Sequence, residues 1–443
     1  MTASPDALTD AQTRQLLVYL AAAHMAGGAG AHEATEDVVR AARAIGLPGA
    51  QINATPDGVT LSLGHGAPAT FESIEGSLRL DQTARVAGIQ HGLETGALTP
   101  TAALEALKGL RAQRARFPVT GMYLGGFTVA AGIAGILQPT WPSVLFAAVA
   151  SPITIALIRL TGRRLVPSAL LPLFAGFLVA AAAFAAFQAG FITSPLRTML
   201  PPVAVLLPGA LLVTGLSELV AGAMVSGASR LAYGTTQLVM FAAGVAGASI
   251  LLDVPPEAFA NARVDEIGPL AGFVGLVLLT LGICFMESVP RRLAPGVLFV
   301  TASTYVTQWS VQNWVDAPAW GGALAGAFVA SFSAWVIALA RPTRSRMVLF
   351  LPSFWLLVPG SLGLVTVTQL GIDPRESWPT AMNATSVVLA IALGLVFGTS
   401  AARALRFTIR RGLRRRGDAR AASTLVELAT LRVCASSCSA SPG

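Results

Sequence analysis

An acidic residue and a Pro-Gly pair interrupt one of the long apolar runs of this chain. The stretch LLPGALLVTGLSEL, residues 206–219, contains Pro208, Gly209 and Glu218. An ionisable side chain inside a membrane run is costly and typically marks a substrate path or a proton relay. We therefore expect Glu218 to carry a proton. The alternatives are that Glu218 reaches the membrane edge or pairs with Arg230.

The Pro-Gly pair returns in LVPGSLGLVTVTQL, residues 357–370. Proline removes a backbone N–H and glycine permits non-helical angles, so each pair breaks its helix. Unwound backbone survives at membrane depth only inside protein or along a polar cavity. Free N–H groups at a half-helix start suit a carboxylate, and free carbonyls suit an ammonium group. The two breaks predict a site for a zwitterionic amino acid, with a simple packing kink as the alternative.

The expected site residues are the two breaks and the polar side chains that follow them. Those expected to bind substrate are Pro208, Gly209, Thr214, Ser217, Pro359, Gly360, Ser361 and Thr366. Those expected to support or gate the site are Ser226, Arg230 and Gln369. Gln369 occupies the position that corresponds to Glu218 and cannot ionise, so proton coupling is expected from the first break alone.

Composition requires that these residues be positioned by membrane helices. Of the 443 residues, 54% are hydrophobic and 12% are charged, whereas soluble domains have about 25% charged residues. The mean hydropathy of +0.66 also indicates an integral membrane protein. Ten apolar runs of roughly the length that spans a bilayer follow residue 120. They cover 121–138, 142–160, 166–190, 200–224, 231–252, 267–287, 294–311, 319–340, 347–370 and 381–402.

Arginines predict the orientation of these runs. With the N-terminus in the cytoplasm, nine loop arginines lie inside and three lie outside, in agreement with the positive-inside rule. The basic tail, residues 403–443, also falls inside, and contact with lipid headgroups explains it better than nucleic-acid binding. We therefore expect both termini in the cytoplasm.

The apolar region divides into two similar halves, residues 118–252 and 267–402. Pro359 lies 151 residues after Pro208, and FAGFLVA at 174 matches LAGAFVA at 324. An odd number of helices in each half makes the repeats inverted, which is a common transporter architecture. The predicted fold is therefore α-helical and multi-pass, with ten helices in two inverted repeats of five. Chance similarity between Ala- and Gly-rich runs is the alternative.

Residues 1–117 have the mixed composition of a soluble domain. Apolar spacing predicts two helices, with Thr9 or Asp10 capping the first, then a hairpin around Pro56–Gly58 and two further helices, the last capped by Thr99. We expect a small cytoplasmic α+β domain. HEATE, residues 32–36, lacks the second histidine of a zinc-protease motif, and the three cysteines form no ligand pattern. No metal or other cofactor is expected.

The stretch LLPGALLVTGLSELVAGAMVSGASRLAYGTTQ resembles the core signature of the threonine/serine exporter family. LPSFWLLVPGSLGL and GGAGAHEATEDVVRAARAIGLPG resemble other segments of that family. The resemblance covers residues 14–402 and implies a ten-helix carrier that exports threonine and serine with the proton-motive force. Dicarboxylate export is the first alternative, and a membrane hydrolase that uses His24, His32 and His91 is the second. A homo-oligomer is compatible with the sequence.

Overall fold

The computed structural model describes residues 8–117, 119–162, 167–260, 263–341, 344–357, 364–366, 368–369 and 378–438, with side chains as far as residue 408. In these ranges the chain is mostly helical, with one small sheet. An N-terminal domain of four helices and three strands precedes a bundle of apolar helices. The second predicted break, Pro359, Gly360 and Ser361, lies outside the described residues.

The N-terminal domain is α+β, as the sequence predicts. Its elements are α1 Asp10–Ala26, α2 Ala31–Ala44, β1 Gln51–Ala54, β2 Gly58–Ser62, β3 Ala69–Ser73, α3 Leu80–Thr95 and α4 Pro100–Lys108. The strands form an antiparallel sheet in the order β1-β2-β3. Leu16, Leu17 and Leu20 of α1 are fully buried against the sheet and the other helices, so α1 forms the centre of this domain.

Local sequence signals explain most of these elements. Thr9 caps α1 through a capping box with Gln12, and Thr99 caps α4. Pro56 and Asp57 form the turn of the predicted β1-β2 hairpin. The sequence did not indicate β3, because side chains along this edge strand alternate only between exposed and half-buried and give no apolar period. The sequence predicts the third helix of this domain from Arg85 onward, and α3 begins five residues earlier, at Leu80.

The membrane region consists of the remaining helices. They are α5 Val119–Leu137, α6 Trp141–Gly162, α7 Leu171–Gln188, α8 Pro195–Thr198, α9 Leu200–Val203, α10 Gly209–Val220, α11 Met224–Leu251, α12 Leu270–Met286, α13 Ala294–Trp314, α14 Ala319–Ala340, α15 Arg346–Leu357 and α16 Trp378–Cys438. Each of the ten predicted apolar runs contains at least one of them. Within the described ranges, six helices are long and apolar enough to cross a membrane, or seven if the broken helix at Pro208 counts as one.

Glycines set the packing of this bundle. A Cβ at Gly132 of α5 would lie 2.5 Å from the carbonyl of Gly275 of α12, and one at Gly125 would lie 2.7 Å from that of Gly282. Gly125 contacts Gly282, and the later residue Gly132 contacts the earlier residue Gly275. The two helices therefore run antiparallel. Backbones that approach this closely through small residues are characteristic of membrane-helix interfaces.

Candidate functional site

The first Pro-Gly pair breaks a helix, as the sequence predicts. Residues Pro195–Leu206 and Gly209–Val220 are bent by 65° relative to one another. Leu207 is extended, with ψ 131°, and Pro208 has no side chain that caps α10. The first N–H groups of α10 therefore have no intrahelical acceptor, and Ala210 and Leu211 in this first turn line a cavity.

A tight hairpin between α10 and α11 brings the predicted polar residues together. Gly222 adopts a left-handed conformation at φ 87° in the turn. Gly215 and Gly227 then let the two backbones touch, because a Cβ at Gly227 would lie 2.6 Å from the carbonyl of Gly215. As a result, Glu218 on α10 faces Ser226 and Arg230 on α11.

Glu218 is buried, and both of its carboxylate oxygens have partners. Its side chain is 3% exposed, and Arg230 Nε lies 3.1 Å from its Oε2 as an ion pair without hydrogen-bond geometry. Ser226 Oγ donates a hydrogen bond to the same oxygen at 2.7 Å. The backbone N–H of Ala31 donates to Oε1, also at 2.7 Å. The sequence left open whether Glu218 pairs with Arg230, and the structure has this pair.

The contact with Ala31 caps a helix of another domain. Helix α2 begins after Gly30, which offers no side-chain acceptor. Glu218 supplies the missing acceptor and places a negative charge at the positive end of the helix dipole. A Cβ at Gly30 would lie 3.3 Å from Glu218 Oε1. The small residues of the Gly-rich turn therefore admit the carboxylate of Glu218.

Glu287 makes a second contact of this kind. It follows the last residue of α12 and accepts a hydrogen bond from the backbone N–H of Leu80, the first residue of α3. The pKa of Glu287 is raised to about 7, chiefly by burial and to a smaller extent by Asp81, against the opposing effects of the Leu80 N–H and Arg79. The sequence analysis missed Glu287, although an ionisable residue at the end of the run 267–287 was an available signal.

Two ion pairs also join the N-terminal domain to the membrane region. Glu33 of α2 forms a bidentate pair with Arg346, one arm of which is 2.8 Å long, and Arg346 also lies over the ring of Trp335. Glu36 pairs with Arg403 at 2.8 Å. Burial alone would raise the pKa of Glu33, but the Arg346 guanidinium outweighs it and lowers the pKa below its ordinary value.

Beside these contacts lies a partly open cavity of about 680 Å³, which we name the central cavity. Its charged and polar lining includes Arg230, Thr214, Gln237 and Glu287. Its apolar wall comes from α15, and its floor comes from the N-terminal domain around Gly28 and Ser77. The volume lies in the range of small-molecule sites. A guanidinium, a carboxyl group and the free end of α10 thus line one partly open space.

The following predicted site residues do not line the central cavity. Ser217 lines a smaller adjoining cavity with Glu218, and its hydroxyl donates to the carbonyl of Thr214 at 2.9 Å. Thr366 is buried at 7% exposure. Gln369 Nε2 donates to the carbonyl of Phe259 at 3.2 Å, in the loop between the two halves. The described residues thus place Gln369 away from Glu218.

The histidines of the alternative enzyme reading do not converge on one site. His32 pairs with Glu36 at 3.1 Å, whereas His24 and His91 line a different cavity from His32. Burial lowers the pKa of His24 and outweighs the opposing effect of Asp37. In the part of the chain that the structure describes, no group of three or more histidine, cysteine or acidic residues is placed to bind a metal ion.

A helical protein with several helices long and apolar enough to cross a membrane, and with a broken helix that begins at a cavity holding charged and polar side chains, fits a membrane transporter. Residues 15–252 match the family described as "putative threonine/serine exporter". The match spans more than half of the chain, so the protein belongs to this family of exporters. No curated protein and no solved structure matches the chain significantly.

Proposed function

We propose that the protein exports threonine and serine across the bacterial plasma membrane in exchange for protons, by alternating access of two inverted five-helix repeats. The observation that carries the proposal is the central cavity, which Arg230, Glu287 and the start of α10 line together. A zwitterionic amino acid requires one positive partner, one negative partner and hydrogen-bond donors, and this cavity provides all three.

Equivalent glycine contacts in the two halves support the inverted repeat. A Cβ at Gly244 would meet the carbonyl of Leu173 and the N–H of Phe177, and one at Gly394 would meet those of Leu324 and Phe328. Gly394 lies 150 residues after Gly244, and the two partners lie 151 residues after their equivalents. This is the offset between the Pro-Gly pairs. The antiparallel packing of α5 on α12 is also what inversion requires.

In this proposal Arg230 binds the substrate carboxylate. Its Nε faces Glu218, and within the described residues its terminal nitrogens have no partner. Arg230 therefore offers two donors to the cavity while it neutralises Glu218. Glu287 receives the substrate ammonium, and Thr214 is the nearest polar side chain to the start of α10 on the cavity wall. A dicarboxylate would find one arginine and a repelling carboxyl group in the same space.

Glu218 is the proposed proton-coupling residue. Its ionised form holds Arg230 toward the cavity, so the carrier binds substrate when Glu218 is charged. A proton that arrives from outside neutralises Glu218, breaks the pair with Arg230 and weakens substrate binding. Proton and amino acid therefore occupy the carrier in alternation, as exchange requires.

The N-terminal domain is proposed to gate the cytoplasmic end. It forms the floor of the cavity and is bound to the membrane region by Glu218, Glu287 and the two ion pairs, so substrate enters only after the domain moves. Both termini then lie in the cytoplasm, and the arginines near the domain face the inner leaflet. A homo-oligomer is compatible with this arrangement.

Transport from loaded proteoliposomes tests the proposal. Vesicles that contain the protein are loaded with radiolabelled threonine, serine or succinate, and release is measured with and without a pH gradient. We expect threonine and serine to leave faster when the outside is acidic, and we expect succinate to stay. Release of succinate with retention of threonine would overturn the proposal in favour of dicarboxylate export.

A further inference from the structure

A second cavity lies at the opposite ends of the same membrane helices. It has a volume of about 520 Å³ and lies between the end of α5, the start of α12 and the end of α13. Its polar lining includes Arg263, Asp265, Tyr305, Gln308 and Gln312, and we name the space the distal vestibule. The N-terminal domain contacts the other ends of α12, at Glu287, and of α15, at Arg346, so the vestibule opens on the far side of the membrane region.

The polar half of α13 is the first indication that this space binds a ligand. Tyr305, Gln308 and Gln312 recur at helical spacing and so share one face of α13. Within the described residues, the amides of Gln308 and Gln312 have no hydrogen-bond partner. Polar groups inside a membrane helix normally face a water-filled or ligand-filled space, and here two neighbouring amides face the same one.

Small residues on the neighbouring helices make room for these side chains. A Cβ at Gly322 of α14 would lie 2.8 Å from the amide nitrogen of Gln312. A Cβ at Gly326 would lie 3.4 Å from Gln308 Cβ, and one at Gly272 of α12 would collide with the hydroxyl of Tyr305. Three glycines on two helices thus admit the three polar side chains, which indicates a shaped site.

Only one turn of α15 separates the vestibule from the central cavity. Phe354 and Trp355 line the central cavity, whereas the next two residues, Leu356 and Leu357, line the vestibule. The two spaces thus meet adjacent residues of the same helix end.

We propose that the distal vestibule is a second binding site for the exported amino acid, occupied after the central cavity and before release. This inference depends on the proposed export function. The Gln308 and Gln312 amides hydrogen-bond the substrate, and both the donor and the acceptor of each amide suit a hydroxyl beside a zwitterion. Arg263 and Asp265, whose charged atoms lie 3.8 Å apart, supply charges of both signs at the mouth of the vestibule.

Thiol labelling tests the site in whole cells. Gln312→Cys is placed in a chain whose cysteines are replaced by alanine, and a membrane-impermeant thiol reagent is added outside. We expect Gln312→Cys to react and threonine to slow the reaction at least severalfold. Trp314→Cys, on an exposed residue at the end of the same helix, is the control, and threonine should leave its labelling rate unchanged.

Affinity on each side provides a second readout. Gln308→Ala and Gln312→Ala should each raise the outside threonine concentration that half-inhibits export by roughly fivefold, the equivalent of one lost hydrogen bond. The concentration needed inside should not change. Unprotected labelling, labelling from the cytoplasmic side alone, or unchanged outside affinity would each overturn the vestibule site. Absent threonine export by the unmodified protein would instead refute the proposed function.

Discussion

The central cavity and the distal vestibule are bordered by different chemistry. Carboxyl groups join the N-terminal domain to the membrane helices beside the central cavity, because Glu218 and Glu287 cap two helices of that domain and Glu33 and Glu36 pair with arginines. The vestibule is lined by neutral amides and one exposed ion pair. Ionised contacts respond to pH and salt, and amide contacts do not. We therefore expect pH to control access to the central cavity from the N-terminal domain side and to leave the vestibule unaffected.

Removal of Arg230 should have the largest effect of the changes considered, because it acts on the central cavity and not on the vestibule. Arg230→Gln leaves Glu218 charged, buried and without its ion-pair partner, at a cost of about 3–5 kcal/mol in stability. The carboxylate-binding group of the cavity is lost as well. We expect export from proteoliposomes to fall roughly 100-fold, the equivalent of about 3 kcal/mol.

The double variant Arg230→Gln with Glu218→Gln separates folding from transport. Because both charges are removed together, stability against thermal unfolding should largely return while export stays low. Near-normal export by the single variant would show that Arg230 does not bind the substrate.

The next largest effect is the pH dependence of docking, by which we mean the binding of the N-terminal domain to the ends of the membrane helices. The pKa of Glu287 is raised to about 7 in the docked state, so the docked form holds its proton more tightly than a free carboxyl group does. Docking is therefore weakened as pH rises from the ordinary value near 4.5 through 7. The pKa of Glu33 is lowered, so its contribution is lost only in acid. Docking of the N-terminal domain should be strongest near pH 4.5, because the contribution of Glu33 is lost below this pH and the contribution of Glu287 is lost above it.

Spin labels measure this dependence directly. Labels at Glu75→Cys in the N-terminal domain and Gly162→Cys at the end of α6 report the distance between the two parts of the molecule. The distance distribution should broaden as pH rises from 5 to 7 and change little above pH 7, and Glu287→Gln should remove this dependence. A distribution that does not vary between pH 5 and 8 would contradict the role of Glu287, in which Asp81 and Arg79 are its charged neighbours.

The two ion pairs of α2 should contribute unequally. The Glu33 side chain is 26% exposed and pairs bidentately, whereas Glu36 and Arg403 are 40% and 45% exposed. Glu33→Gln should weaken docking by about 2 kcal/mol, and Glu36→Gln by less than about 1 kcal/mol. The same spin-label distances measure both variants. Equal effects would indicate that burial does not govern these contacts.

The smallest effect is expected from Gly30→Ala. The added methyl lies 3.3 Å from Glu218 Oε1, so the carboxylate must shift by a few tenths of an ångström and its bond to Ala31 lengthens. We expect docking to weaken by about 1 kcal/mol or less. Gly64→Ala is the matched control, because a Cβ there meets nothing within 4 Å. Identical behaviour of the two variants would show that the Gly-rich turn is not fitted to Glu218.

Local patterns in the sequence predict a large part of this structure. Thr9, Thr99 and the Pro56–Gly58 turn are local signals, and the break at Pro208 follows from the chemistry of proline itself. Each of the ten apolar runs overlaps a described helix, but α12 has only 17 residues and α13 carries polar side chains such as Gln308 and Gln312, so neither is among the six helices long and apolar enough to cross a membrane in the described ranges.

The contacts between domains could not be predicted from the sequence. Glu218 and Ala31 are separated by 187 residues, and no periodicity links an uncapped helix start to a distant carboxylate. The same is true of Glu287 and Leu80. The sequence identified Glu218 as costly at its position and offered Arg230 as one possible partner, but only the fold shows that the Ala31 N–H and the Ser226 hydroxyl also offset that cost.

Ligand-induced stabilisation tests the central claim, that the cavity binds the exported amino acid through Arg230. Thermal unfolding is measured for the detergent-purified protein and for the double variant Arg230→Gln with Glu218→Gln, each with threonine, serine or succinate. A ligand that binds only the folded state raises the unfolding temperature. We expect threonine and serine to raise the unfolding temperature of the unmodified protein and to leave that of the variant unchanged. Equal rises in both proteins, or a rise with succinate alone, would contradict the central claim.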